Sequence, residues 1–196
     1  MGESLSVHGI AGWFQPFWQR GRKVERAAYV VGALLLTSGL VHLAILTVTG
    51  GTWTGPLSLR KPTTFGLSFG LTLITIAWTS SFLRFGDLAR ATLLGVFTAA
   101  CVVETALVSL QAWRGVPSHF NVETTFDARV AGGLAFGGII LVAIIAVMTL
   151  ASFRSNPTLP RSLRIAIRIG FVALSGSMIV GALMIARGMG FVFAGD

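Results

Sequence analysis

Five apolar runs, each about 21–23 residues long, leave few folds open to this chain. They are Ala27–Val48, Thr63–Leu83, Ala91–Ala112, Val130–Ser152 and Ile165–Ala186. At ~1.5 Å per helical residue, each is long enough to cross a hydrocarbon core of ~30 Å. Lipid offers the backbone no hydrogen-bond partners, so a spanning run must be a helix that satisfies its own. Only 11% of the residues are charged, against about 25% in a soluble domain. The mean hydropathy is +0.79. The expected fold is therefore an all-α integral membrane protein of about five transmembrane helices, with the lipid bilayer as its solvent.

The formal net charge of +8 invites a nucleic-acid reading. The basic residues argue against one, because they are scattered between apolar runs as membrane flanks are. Thirteen are Arg and two are Lys, a skew that fits a GC-rich bacterial genome and a bacterial plasma membrane. Cys101 is the single cysteine, so no disulfide framework, zinc ribbon or CxxC redox pair can form within the chain.

Residues 1–26 read as an amphipathic interfacial segment, 27–187 as the helical membrane domain and 188–196 as a short C-terminal tail. In the first segment Trp13, Phe14, Phe17 and Trp18 precede Arg20, Arg22, Lys23 and Arg26. Rings followed by cations suit a headgroup layer. The early apolar stretch and cleavage site of a signal peptide are missing from residues 1–25, so the first membrane helix is expected to drive insertion. With the N-terminus cytoplasmic, ten Lys and Arg face inward and five (Arg60, Lys61, Arg114, Arg129, Arg187) face outward. The positive-inside rule favours that orientation.

The two outer loops share a pattern. Trp53, Gly55 and Ser58 match Trp113, Gly115 and Ser118 at an offset of 60. Thr63-Thr64-Phe65 then matches Thr124-Thr125-Phe126 after one inserted residue. This reads as two repeated outer-loop hairpins, with a fifth helix added. Parallel repeats of this kind occur in transporters.

The polar residues concentrate on the outer side. Glu104 lies near the middle of the third run, where an unpaired carboxylate is costly. Gln111 is seven residues on, along the same helical face. His42 lies at a comparable depth in the first run, which makes it a natural partner for Glu104. His119 opens a polar stretch that continues through Asn121, Glu123 and Asp127. Glu104, His42 and His119 are the candidate catalytic residues. Arg60, Lys61, Gln111, Arg114, Asn121 and Asp127 are the candidate ligand-binding residues. Asp127, Thr124 and Thr125 also suit the N-cap of the fourth helix.

No strong metal pattern such as HExxH is present, and no metal ligands are assigned. His42 and His119 together leave haem open as a cofactor. His119, Glu123 and Asp127 leave a divalent metal open. Thr64, Ser68, Thr72, Thr75 and Thr79 form a hydroxyl stripe along the second run. With Gly66-x-x-x-Gly70 and Gly133-x-x-x-Gly137, it is expected to mediate close helix contacts. The inner half shows no comparable polar cluster.

These features favour a ligand-binding or catalytic site in the outer half, acting on a lipid, quinone or other amphipathic small molecule. A transporter or channel subunit is the first alternative. An accessory or assembly subunit is the second, and both leave room for a homo-oligomer or a partner membrane subunit.

Overall fold

The computed structural model describes residues 18–19, 21–55, 58–154, 156 and 158–194. Most of the interfacial segment (residues 1–17 and 20) lies outside them, as do residues 195–196 of the tail. Five helices follow in order: α1 (Lys23–Val48), α2 (Arg60–Ser80), α3 (Asp87–Trp113), α4 (Thr125–Ser152) and α5 (Arg161–Ala194). The described residues contain no strand. α5 continues to Ala194, through residues that the sequence assigned to a tail.

Four helices, α1, α3, α4 and α5, are long and apolar enough to cross a membrane. The chain is thus an all-helical membrane protein. α2 falls short of that measure. Seven of its 21 residues carry hydroxyls, and Arg60 and Lys61 open it.

Each helix packs on its sequence neighbours, and α1 also meets α3. The closest approach joins α1 to α2. A Cβ added at Gly39 would stand 2.6 Å from the Leu67 backbone nitrogen. One added at Gly70 would stand 2.7 Å from the Gly32 carbonyl oxygen. Only glycine lets the two backbones come this near. The Gly66-x-x-x-Gly70 pair of α2 thus seats on Gly32 and Gly39 of α1. On α4, Gly133 meets Leu107 of α3, and Gly137 meets Glu104.

The hydroxyl stripe does not take the packing role expected of it. Thr64, Ser68 and Thr75 are exposed. Thr64 Oγ1 donates back to the Arg60 carbonyl at 3.0 Å, and Thr75 Oγ1 to the Leu71 carbonyl at 2.9 Å. Gly66 and Gly70 occupy the opposite side of α2. The glycine side, which permits the nearer approach, takes the interior.

The main core is aliphatic and aromatic. Leu73, Ile76, Leu94, Phe97, Ile145 and Met148 are buried together, and Ile167 and Phe171 of α5 complete it. α1 starts, α2 ends and α3 starts at one end of the bundle, called here the basal end. The α1–α2 and α3–α4 loops occupy the opposite, loop end.

The basal end holds an ionic network, which corrects the expectation that this half lacks one. Glu25 and Arg90 are 2% and 4% exposed, with 3.8 Å between Arg90 Nη1 and Glu25 Oε1. Arg90 donates to the carbonyls of Ser80 and Leu83, the latter at 2.9 Å. It thereby caps the end of α2. Arg22 Nε donates to Asp87 Oδ1 at 2.9 Å, and the Arg22 N–H donates to Glu25 Oε2 at 2.9 Å. Four side chains thus tie α1, α2 and α3 together.

Candidate functional site at the loop end

Each polar loop is positioned by a backbone constraint. Gly55 (φ 105°) and Gly115 (φ 67°) both occupy the left-handed region, which explains glycine in each W-x-G-x-x-S segment. Ser58 and Ser118 are both buried. The T-T-F portions are not equivalent. Thr63 and Thr64 lie inside α2, which begins at Arg60. Thr124 is instead the N-cap of α4, accepting a hydrogen bond from the Asp127 N–H. Asp127 is therefore the third residue of that helix rather than its cap.

Gln111, Arg114, Thr124 and Asp127 close on one another. Gln111 Nε2 donates to Asp127 Oδ1 at 2.8 Å, and Arg114 Nη1 donates to the same oxygen at 2.5 Å. Arg114 also donates to Gln111 Oε1. Thr124 Oγ1 donates to Asp127 Oδ2 at 2.6 Å. The Arg114 guanidinium lies over the Phe126 ring, 4.7 Å from its centroid. Both carboxylate oxygens are occupied and Gln111 is fully buried. Three expected ligand-binding residues thus form a clasp between α3 and α4, with one another as partners.

His42 is also committed. Trp113 Nε1 can only donate, and it reaches His42 Nε2 at 3.0 Å. Nε2 is then the acceptor, so Nδ1 carries the proton and donates to the Ser38 carbonyl at 2.8 Å. No lone pair remains for a metal. The residues therefore do not fit a bis-histidine haem through His42 and His119. Among the described residues no group of three or more His, Cys, Asp or Glu could hold a metal ion.

Glu104 does not pair with His42. It is 4% exposed and turned toward α4, where its Oε1 occupies the space left by Gly137. That oxygen has no hydrogen-bond partner. The glycine pair that sequence reading assigned to helix packing also makes the notch for this carboxyl.

A second cluster stands free of the clasp. Lys61, in the first turn of α2, donates from Nζ to Ser118 Oγ at 3.5 Å. The Ser118 hydroxyl is also hydrogen-bonded to His119 Nδ1, 2.9 Å away. The resulting chain runs lysine to serine to histidine. Burial, and then the charge of Lys61, push the His119 pKa below its ordinary value, so the ring is neutral at pH 7. The His119 ring also lies 6.0 Å from that of Phe65.

Beyond it, Phe120 has φ 60°, a strained conformation for an aromatic residue. Asn121 is 5% exposed. Its Oδ1 accepts from the Glu123 N–H at 3.1 Å, while its Nδ2 has no partner. Buried amide donors are almost always satisfied, so this one is an exception. Next to the α1–α2 loop lies a cavity of about 340 Å3 lined by Leu46, Thr49, Thr52, Thr54 and Ser58. Its wall ends at Leu59, next to Arg60 and Lys61.

Of the expected residues, Lys61 and His119 are joined through Ser118, Arg60 precedes Lys61 and Asn121 follows His119 by two residues. Ser118, the link between Lys61 and His119, was not singled out from sequence, although it repeats Ser58. No protein-family model, curated protein or solved structure matches the chain.

Proposed function

We propose that the protein binds an amphipathic small molecule, a lipid or quinone, at the loop end, with Lys61, His119 and Asn121 donating to headgroup oxygens. The observation that carries this reading is the Asn121 amide nitrogen, buried without an acceptor in a segment held in a strained turn. An unsatisfied donor two residues from a neutral imidazole that is linked to a lysine through Ser118 is suited to a carbonyl or phosphate oxygen. Strain and missing partners together are typical of sites that complete themselves on binding. Arg60 and the adjoining cavity extend the surface available to the ligand. Gln111, Arg114, Asp127, His42 and Glu104 act in this reading as the frame that holds the loops.

The test is binding of decylubiquinone and of phosphatidylglycerol to detergent-purified protein, followed by thermal shift and native mass spectrometry. One of the two should stabilise the parent protein. Asn121→Ala and Lys61→Gln should each weaken that ligand about tenfold, the loss of one hydrogen bond to a charged or buried group. Equal binding by parent and variants, or no binding of either probe, removes the reading.

The same proposal places five helices across the bilayer, including α2, with the basal end cytoplasmic. Ten of the fifteen Lys and Arg at that end support the orientation. The matched glycine and serine geometry of the two loops supports a duplicated hairpin. A transport path along the hydroxyl stripe would be exposed at Thr64 and Ser68 and would follow the open α2–α5 groove at Thr72, Thr75 and Thr79, so it would need a second subunit to enclose it.

A further inference from the structure

At the basal end, opposite the proposed ligand site, two adjoining features have no role so far. The first is a groove of about 430 Å3 between α2 and α5, walled mainly by apolar side chains such as Leu163 and Phe171, with Thr72, Thr75 and Thr79 of the stripe also on its wall, the last two with hydroxyls turned to backbone carbonyls. The second is a narrow cleft with about 10 Å3 of enclosed space, whose walls include Arg84, Arg154, Arg164 and Asn156. Ile167 belongs to the walls of both, so the groove and the cleft adjoin at that side chain.

Arg154 and Arg164 bring positive charge to the cleft. The described carboxylates of this end, Glu25 and Asp87, are taken by Arg22 and Arg90. No described carboxylate lies within ion-pair distance of Arg154 or Arg164. Arg164 makes one long hydrogen bond, 3.4 Å to the Asn156 carbonyl. α5 also starts here, at Arg161, and its first turn carries no acid. The helix dipole therefore adds to the positive potential.

We propose that the basal end holds one anionic phospholipid, with a phosphate oxygen against the arginine cleft and an acyl chain in the α2–α5 groove. The enclosed space admits a single oxygen-sized group, which suits the edge of a phosphodiester rather than a whole sugar or nucleotide. The groove suits a flexible hydrocarbon, and in a bilayer it cannot fill with water. One molecule joins the two chemistries in the order in which the protein presents them. Basic pockets between membrane helices select anionic headgroups for the same reason.

The experiment compares retention of phosphatidylglycerol and of phosphatidylcholine with the same acyl chains, by native mass spectrometry of the purified full chain. The parent should retain phosphatidylglycerol in preference. Each arginine near the surface is worth about fivefold in such binding. Arg154→Gln with Arg164→Gln should therefore lower phosphatidylglycerol retention about 25-fold, and the lysine pair should keep most of it. Gly170→Leu adds a side chain where a Cβ would meet nothing within 4 Å, so it fills the groove without disturbing the bundle. It should weaken both lipids.

Equal retention of the two lipids by the parent overturns the proposal. So does a preference that survives the double glutamine variant at unchanged helix content. Full displacement of the lipid by inorganic phosphate would show a plain anion site and overturn it too.

Discussion

The loop-end clasp and the basal network use the same chemistry for different work. The clasp joins α3 to α4, consecutive helices whose partners lie at most 16 residues apart in sequence. Its acceptors are satisfied and its arginine is 36% exposed. The basal network joins three helices, with 65 residues between Arg22 and Asp87. Its central pair is almost fully buried, and Glu25 Oε1 and Arg90 Nε lack hydrogen-bond partners. A local clasp with a partly exposed arginine shapes a loop. A buried, long-range pair fixes how the helices are arranged, and losing Arg90 leaves Glu25 with Arg22 alone.

The largest effect should come from breaking the basal pair on one side. Arg90→Met should cost about 3–5 kcal/mol, because the Ser80 and Leu83 carbonyls lose their buried donor and Glu25 keeps only Arg22. Glu25→Gln added to it should restore less than half of that loss, since the carbonyls stay without a donor. Thermal unfolding in detergent measures both, and a single variant as stable as the parent would erase the contrast. Gln111→Leu, at the clasp, should cost only about 1–2 kcal/mol, since Arg114 and Asp127 keep each other. A larger loss than that of Arg90→Met would reverse the ranking.

The smallest effect concerns pH. Because the folded-state pKa of His119 is lowered, the unfolded chain binds its proton first. Stability is therefore full above pH ~6.5 and declines as the pH falls below it. Protonation also adds a cation near Lys61. Thermal scans at pH 7.5 and 5.5 should show the decline, and His119→Gln should reduce it. An unchanged pH profile in that variant would assign the decline to other groups.

Sequence reading located the helices because a 21–23-residue apolar run admits one structure in lipid. It also found the loop-end polar residues, which stand out against an apolar background. It could not separate Lys61, His119 and Asn121 from Gln111, Arg114 and Asp127. That distinction depends on which donors already have acceptors. Trp113 stood out only as a repeat marker, whereas its indole determines the tautomer of His42. Glu25 was assigned to the interfacial segment, although Arg22-x-x-Glu25 directly before an apolar run has the spacing of a helix start. Asp87 and Arg90 read as ordinary turn residues. The stripe on α2 was visible as a periodicity, but periodicity identifies a face without saying which way it turns.

The glycine contact between α1 and α2 has a consequence for biogenesis. A helix with seven hydroxyl residues gains little by entering lipid on its own. If α2 crosses the bilayer, it does so against the backbone of α1, whose glycines leave room for nothing else. The two would then leave the insertion machinery as one hairpin. A bulky side chain at Gly39 or Gly66 would block membrane integration before any question of folded stability arose.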